Sequence, residues 1–546
     1  MGYLDTYTTP LTAITAAHLL RRATFGPTQS EITAFSTNGI TATQAVDILI
    51  SNASFRANPA PPVEMDETRA DLGEPFLTKP FNGDRTYDYF CFIRYWWIGL
   101  MTEQNGKPSV LEKLTAFWQN HFVVTHTSTG DYRFTDNYLR LLRANALGNF
   151  RTFAVQISKN PGMLVFQNGN ENSKESPNEN YGRELQELFV VGQKDYAGND
   201  NYTEQDVKAA ARALTGWQVT NLWNYGSTSF GSVFNPDRHN IENKAFSAKY
   251  NNTVIAGRSG EGAGDAELND LINMLLLHNE TPKFICRKLY RWYINSNVTQ
   301  EIEDQVIVPL AAFFASPGNN YAIAPVLKKL LTSNIFFDSR NIGAMLKSPS
   351  EFMIGMMRHF NQYVPDITTE PDAFRRLMEF QEWGMNTMQL RLLDQREVFG
   401  SIPYYQTGYS KNWINGTTLG LRGAHSDAVV IPWKTLKDDI MVGVDLYKWI
   451  RQIQPNFYEV SVAPAISCEV LFDAFSKNLF AIELQQSQKN FLIDTIMMRG
   501  IPRESWKFEL NNYRNAPNDD GYRNTVIGRC QVLLKYMLRM AEYQVF

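Results

Sequence analysis

The stretch PNENYGRELQELFVVG, residues 177–192, carries the clearest helix signal in the chain. Ser176, just before it, suits an N-cap, Pro177 suits the first helical position and Glu179 completes a capping box. Gly192 ends the pattern. Apolar residues recur at helical spacing and form one buried face: Tyr181, Leu185, Leu188 and Phe189. The stretch therefore predicts a helix capped by Ser176, with its polar residues on an adjoining face.

Similar start signals lie on both sides of this stretch. Capping-box pairs, three residues apart, precede several apolar periodic segments: Thr28 with Glu31, Thr41 with Gln44, and Thr203 with Asp206. Helical periodicity fades only in two Pro-, Gly- or Asn-rich regions. The fold class predicted is mainly α, a large multi-helix single body with long ordered loops and at most a small β-hairpin element near 245–257.

No Pro/Ser/Gly-rich linker divides the chain, so residues 1–546 are predicted to form one continuous helical domain. Within it we expect a wrapped loop at 55–87 and an irregular loop region at 218–264. A C-terminal helical part is expected at 423–546.

Composition excludes several classes of protein. Lys+Arg of 52 against Asp+Glu of 56 gives a net charge of -4, without a basic block, which disfavours nucleic-acid binding. The four cysteines have no metal-ligand spacing and are expected to be buried thiols. No apolar run reaches the ~18 residues of a membrane span. The N-terminus lacks a signal-peptide pattern, which makes a cytoplasmic location the default expectation.

Glu184 and Glu187 are the first candidate site residues. They lie three residues apart on one helix face, with Arg183 beside them. Carboxylates at this spacing can share a metal, or act as an acid–base pair if burial separates their pKa values. The alternative is a solvated face, on which Arg183 pairs with Glu179 or Glu187 in surface ion pairs worth under about 1 kcal/mol each.

Two histidines are further candidates. His121, in FWQNHF (117–122), falls on the apolar face of its helix, so it is either a core histidine or a metal ligand or general base facing a cavity. His239 lies in a loop, FNPDRHNIENKAF (234–246), with other polar residues. Loops often carry functional side chains, but ordinary polar residues collect there too.

Several motifs together resemble the bacterial domain-of-unknown-function family numbered 1800. They are HLLRRATFGPT (18–28), FWQNHF, PNENYGRELQELF, YTEQDVKAAARALTGW (202–217) and CRKLYRWYI (286–294). The resemblance implies a largely helical fold, export of many members and a partner protein of the phosphatase-superfamily-like type. The family-like positions in this chain are His121, Asn180, Arg183, Glu184, Glu187, Asp206, Arg212, Trp217 and His239.

The chain departs from the family pattern in three places. Tyr181-Gly182 replaces the more typical pair before Arg-Glu, and Phe189 stands where many members have His. The run YYQTGYSKNW (404–413) replaces a Gly-Trp-Pro-Gly-Gly-like segment. The second change removes a ligand that a metal site on this helix would use.

Three functions follow from these residues. In the first, the chain is a metal-assisted hydrolase that binds a divalent metal through His121, Glu184, Glu187 and His239. Glu184, Glu187, Arg183 and Arg212 would then be its catalytic residues. In the second, it is a non-catalytic binding or assembly protein that recognises a glycan or a protein. In the third, the polar motif is a buried structural ion-pair network.

Overall fold

The computed structural model describes residues 2–102, 106–395, 397–405, 408–431, 435–437, 440–457 and 464–546. Within these ranges the chain is mainly α-helical, which confirms the predicted fold class. Residues 406 and 407, in the run that departs from the family pattern, lie outside the described residues.

Short and medium helices follow one another along the chain. The N-terminal α-helices are Ala13–Ala23, Gln29–Ser36, Ala42–Phe55, Thr86–Met101, Leu111–His121, His126–Thr129, Tyr132–Asn145, Phe150–Ser158 and Pro161–Phe166. The central ones are Glu179–Glu184, Glu204–Ala213, Ala263–Leu276, Glu280–Tyr293, Gln300–Ile302, Val308–Ala315 and Ile323–Leu331. The C-terminal ones are Pro349–His359, Pro371–Thr387, Gly416–Val430, Leu446–Ile453, Cys468–Leu479, Gln486–Phe491, Glu504–Asn515, Asp520–Arg539 and Ala541–Gln544.

Among the described residues, three segments are wound as π-helices: Leu185–Val190, Glu303–Ile307 and Leu492–Met497. The first continues directly from the Glu179–Glu184 helix, so the predicted helix 177–192 changes its winding in the middle of the motif. π-helical turns are rare and occur often at functional sites.

Three antiparallel strand pairs complete the secondary structure of the described residues. Lys244–Ala245 pairs with Val254–Ile255, which confirms the hairpin predicted near 245–257. Trp217–Thr220 pairs with Gly231–Phe234, inside the region predicted to be irregular. Thr435–Lys437 pairs with Ile440–Met441.

The three predicted capping boxes are confirmed, whereas one predicted N-cap is wrong. Thr28, Thr41 and Thr203 each form the predicted capping box with the residue three positions later. The predicted Ser176 cap was wrong. The helix begins at Glu179, and Asn178 is its N-cap, accepting a hydrogen bond from the Asn180 backbone N–H at 3.0 Å. Asn is as good a cap as Ser, so the sequence alone could not choose between them.

The core is one contact cluster of buried hydrophobic residues that extends from Leu11 to Tyr543. All four cysteines are buried within it as free thiols. No helix among the described residues has the length and apolar character needed to cross a membrane.

Candidate functional site

A cavity of about 230 Å³ lies where the Leu111–His121 helix, the Leu185–Val190 π-helix and the Glu280–Tyr293 helix meet. The rest of its lining comes from residues 296, 345, 398–399, 403–405 and 409–410. Aromatic side chains form a large part of its wall: Phe117, Phe284, Trp292, Phe399, Tyr404, Tyr405 and Tyr409. The centre of the Trp292 ring lies 4.6 Å from the centre of the Tyr404 ring and 5.6 Å from that of the Phe117 ring. The cavity therefore offers an apolar, aromatic interior.

The Glu280–Tyr293 helix supplies the polar part of the wall. Phe284, Lys288 and Arg291 follow one another at i, i+4 and i+7, so they share one face of the helix, and all three line the cavity. The opposite face is apolar and buried, and includes Ile285, Cys286 and Leu289. Burial of that face aims the two cations at the cavity.

Lys288 contacts His121 across the cavity wall. Its Nζ lies 3.0 Å from Nδ1 of His121 and 3.2 Å from the carbonyl oxygen of Leu188. Nε2 of His121 lies 2.9 Å from the carbonyl oxygen of Phe189. A carbonyl only accepts, so Nε2 must carry the proton, and Nδ1 is left as the acceptor for the lysine. His121 is thus held in its neutral form, with both ring nitrogens engaged.

The electrostatics agree with this hydrogen bonding. Burial, together with the charge of Lys288, holds the pKa of His121 well below its ordinary value. Burial, with a smaller contribution from Arg291, lowers the pKa of Lys288 to about 7. A neutral amine is therefore far more accessible to Lys288 near pH 7 than to an ordinary lysine.

Arg291 has no carboxylate within ion-pair distance in the described part of the chain, and neither does Lys288. The Arg291 guanidinium lies 4.6 Å from the centre of the Tyr409 ring, and Nε of Arg291 is buried without a hydrogen-bond partner. Burial lowers the pKa of Arg291 from its ordinary value. The cavity thus has two half-buried cationic groups within one helical turn.

Glu187 reaches the same cavity from the π-helix, and Glu184 lies next to it on the helix. The Tyr202 hydroxyl donates a hydrogen bond to Oε2 of Glu187. Burial, and then the charge of Glu187, raise the pKa of Glu184 to about 7. Oε2 of Glu184 is buried without a hydrogen-bond partner. The two carboxyl groups therefore have different environments, as an acid–base pair requires.

Arg183 does not pair with Glu179 or Glu187, so that prediction was wrong. It forms a two-pronged ion pair with Glu204, at 2.7 Å and 2.8 Å. Gly182 explains the change of partner, because a Cβ there would lie 2.8 Å from the Val207 carbonyl oxygen of the Glu204–Ala213 helix. That close approach brings Glu204 within reach of the arginine.

Arg212 and His239 lie in other places. Arg212 pairs with Glu242 at 3.2 Å and lines a separate open groove with Glu204. His239 is buried, with Nδ1 2.8 Å from the Thr215 carbonyl oxygen and Nε2 3.2 Å from Glu267. Neither residue is among those that line the aromatic cavity.

The structure therefore brings together only part of the predicted site. His121 and Glu187 line the cavity and Glu184 lies beside it, whereas His239 belongs to a different cluster. Within the described ranges, no group of three or more His, Cys, Asp or Glu side chains is arranged to hold a metal ion.

Lys288 and Arg291 are the site residues that the sequence did not single out, although both lie in the CRKLYRWYI motif. One signal could have found them. They are two cations, three residues apart, on the same helix face as Phe284 and Trp292, which is unusual for a solvated face.

A family model described as "Protein of unknown function (DUF1800)" matches residues 18–545. The chain belongs to this family. The match spans every residue of the cavity wall, so the site of this DUF1800 member lies within the part of the chain that the family model covers. No curated protein and no solved structure matches the chain.

Proposed function

We propose that this DUF1800 protein binds a small ligand with an anionic group and an aromatic or apolar body in the cavity beside Lys288. One observation carries the proposal. Lys288 and Arg291 line the cavity together, and the described part of the chain offers neither of them a carboxylate partner. The ligand class differs from the glycan or protein that the binding alternative from the sequence named.

Lys288 and Arg291 are cations that are partly withdrawn from water. A buried or half-buried cation is costly unless it is paired, which is why such groups are usually found with a counter-ion. A carboxylate or phosphate would supply that partner, and a guanidinium can bind either group through two N–H donors. The apolar part of the ligand would pack on Trp292 and Tyr404, which removes aromatic surface from water.

Calorimetric titration with 3-phenyllactate tests the proposal, with 3-phenylpropane-1,2-diol as the uncharged counterpart. We expect saturable binding of the acid and at least tenfold weaker binding of the diol. Arg291→Met should weaken the acid at least tenfold, since one charge-assisted pair is worth roughly 1.5–3 kcal/mol. Arg340→Met, at an exposed arginine paired with Asp338, is the control. Equal binding of acid and diol would contradict the proposal.

Hydrolysis is a second candidate, and the Glu184 environment favours it. A carboxyl group with its pKa raised to about 7, next to a second carboxylate at the cavity, could act as a general acid while Glu187 acts as a base or holds a divalent metal. Metal content by plasma mass spectrometry tests the metal-assisted form on wild type and Glu184→Gln/Glu187→Gln. Near-stoichiometric metal that the folded variant loses would support it, and no metal in either protein would exclude it.

A partner protein of the phosphatase-superfamily type stays a prediction from family membership. Exposed aromatic side chains of the kind that are enriched at protein interfaces occur on the described surface, among them Tyr87, Trp223 and Tyr225. Affinity purification of the tagged chain from its native host tests for such a partner. Loss of the partner after Trp223→Ser would place it at this surface.

A further inference from the structure

We infer that the Lys288 amine forms an imine with the carbonyl carbon of an aromatic 2-oxo acid whose carboxylate pairs with Arg291. The inference rests on the proposed function, because the acid must first bind in the cavity. It adds a covalent step and a substrate class to that function.

The hydrogen bonds of Lys288 leave its lone pair unused. A neutral primary amine has two N–H donors and one lone pair. The two neighbours of Nζ, Nδ1 of His121 and the Leu188 carbonyl oxygen, are both acceptors. They can take both N–H groups, so the lone pair remains for an electrophile, and the side chain lines the cavity. Reactive lysines in enzymes need such an amine, free of a carboxylate partner and in an apolar setting.

The protonation state supports the same step. Burial and the nearby Arg291 charge lower the pKa of Lys288 to about 7, so a substantial part of the protein has a nucleophilic amine near neutral pH. Glu187, which also lines the cavity, is not within ion-pair distance of Lys288 among the contacts of the described residues.

The spacing of the two cations selects the carbonyl compound. Residues three apart on a helix have Cβ atoms about 5–6 Å apart, so two long side chains can reach neighbouring atoms of one small ligand. In a 2-oxo acid the carbonyl carbon is bonded directly to the carboxylate carbon. With the carboxylate on Arg291, the carbonyl carbon would lie beside the Lys288 amine. The aromatic wall, with Phe117 and Trp292, favours an aryl substituent.

The chemistry balances without an oxidant or a reductant. The Nζ lone pair attacks the carbonyl carbon, and the carbonyl π-electrons move to oxygen. One amine proton transfers to that oxygen through Nδ1 of His121, which gives a carbinolamine. The second amine proton leaves with the hydroxyl group as water, and the C=N bond forms. His121 touches the reacting nitrogen and ends the step in its starting form.

Reductive trapping tests the inference. The protein is incubated with phenylpyruvate and sodium cyanoborohydride, digested and mapped by mass spectrometry. We expect one modified lysine, Lys288, whose mass increases by that of the probe less one oxygen atom. Lys288→Arg should lose the label while retaining calorimetric binding of phenyllactate. Lys283→Met, on another face of the same helix, should retain the label.

Protection by phenyllactate keeps the test valid if a variant fails to fold. Phenyllactate has a hydroxyl group in place of the ketone, so it should bind and suppress labelling of wild-type Lys288 without reacting. Binding of phenyllactate without any Lys288 label from phenylpyruvate would overturn the imine and leave the proposed function standing. Labelling spread over exposed lysines, unaffected by phenyllactate, would also overturn it. Absence of phenyllactate binding would overturn both.

Discussion

Nζ of Lys288 lies 3.0 Å from Nδ1 of His121, on a ring whose other nitrogen faces the Phe189 carbonyl oxygen at 2.9 Å. This arrangement decides what the histidine can do. Both ring nitrogens already have partners, so His121 orients the lysine and can accept its proton through Nδ1, but it offers no free ligand to a metal. Phe189 takes part through its backbone carbonyl.

The stability of a Lys288→Met variant should depend on pH. The pKa of Lys288 is lowered from 10.5 to about 7, so between these values the unfolded chain binds the additional proton. The wild type therefore gains stability as pH rises through this interval, by at most about 1.4 kcal/mol per pH unit before solvent screening is allowed for. The methionine does not titrate. In urea unfolding, the free energy of unfolding of the variant minus that of the wild type should therefore be larger at pH 6 than at pH 9.

A difference between Lys288→Met and wild type that is the same at pH 6 and pH 9 would contradict this expectation. Lys283→Met provides the matched control on the same helix. Its unfolding curves separate the effect of the cavity from that of losing any lysine in this region.

Glu184→Gln should show a pH dependence of its own. The pKa of Glu184 is raised from 4.5 to about 7, so the folded state holds its proton more tightly. The tighter binding of this proton stabilises the folded state. That stabilisation is fully present below about pH 4.5 and is lost as pH rises through about 7. Glutamine cannot lose a proton, so the variant should gain stability relative to the wild type between pH 4.5 and pH 8, measured by chemical unfolding.

Glu204→Gln is the control of opposite sign for this experiment. A hydrogen bond from Arg183 lowers the pKa of Glu204, so the wild type gains stability as pH rises and the variant should fall behind. If the stability of both glutamine variants relative to the wild type changed in the same direction with pH, the opposite pKa shifts of Glu184 and Glu204 would be contradicted.

Gly182→Ala should destabilise the protein by about 1–3 kcal/mol through overpacking. The added Cβ would lie 2.8 Å from the Val207 carbonyl oxygen and 2.9 Å from the Ala211 backbone nitrogen, both of which are fixed in a helix. Gly528→Ala is the control, because nothing lies within 4 Å of its added Cβ in the Asp520–Arg539 helix. There we expect a gain of about 0.5–1 kcal/mol from helix propensity. Thermal unfolding of both variants would be measured, and equal effects would refute the packing argument.

The buried Glu267 carboxylate pairs with Lys244 at 2.6 Å and contacts His239 at 3.2 Å, and all three side chains are almost fully buried. Glu267→Gln leaves the lysine charge unpaired, so we expect a loss of about 3–5 kcal/mol. Arg183→Gln breaks a half-exposed pair and should cost under about 1 kcal/mol. Denaturant unfolding compares them. A small loss for Glu267→Gln would show that His239 does not belong to a structural network.

The predictions that held depend on residues close together in the chain. The capping boxes at Thr28, Thr41 and Thr203 form within three residues, so local sequence is sufficient to specify them. The helix start after Ser176 was missed by two residues, because Asn178 caps equally well.

The site was predictable only in part because its contacts are distant in sequence. Lys288 and His121 are 167 residues apart, and no periodicity in either helix reveals that they meet. Glu179 and Glu187 lie at helical spacing from Arg183. The arginine nevertheless pairs with Glu204, because the two helices approach closely at Gly182. The spacing of Glu184 and Glu187 predicted their shared location, but not that the pKa of Glu184 would be raised.

The most direct test is the location of a bound ligand in crystals soaked with 3-(4-bromophenyl)lactate, found from the anomalous scattering of bromine. We expect one strong bromine peak in the cavity near Trp292 and Tyr404, with the carboxylate on Arg291. The peak should be absent from Arg291→Met crystals and present in Arg340→Met crystals. A bromine site elsewhere on the protein, with the cavity empty, would show that the aromatic acid does not bind beside Lys288 and Arg291.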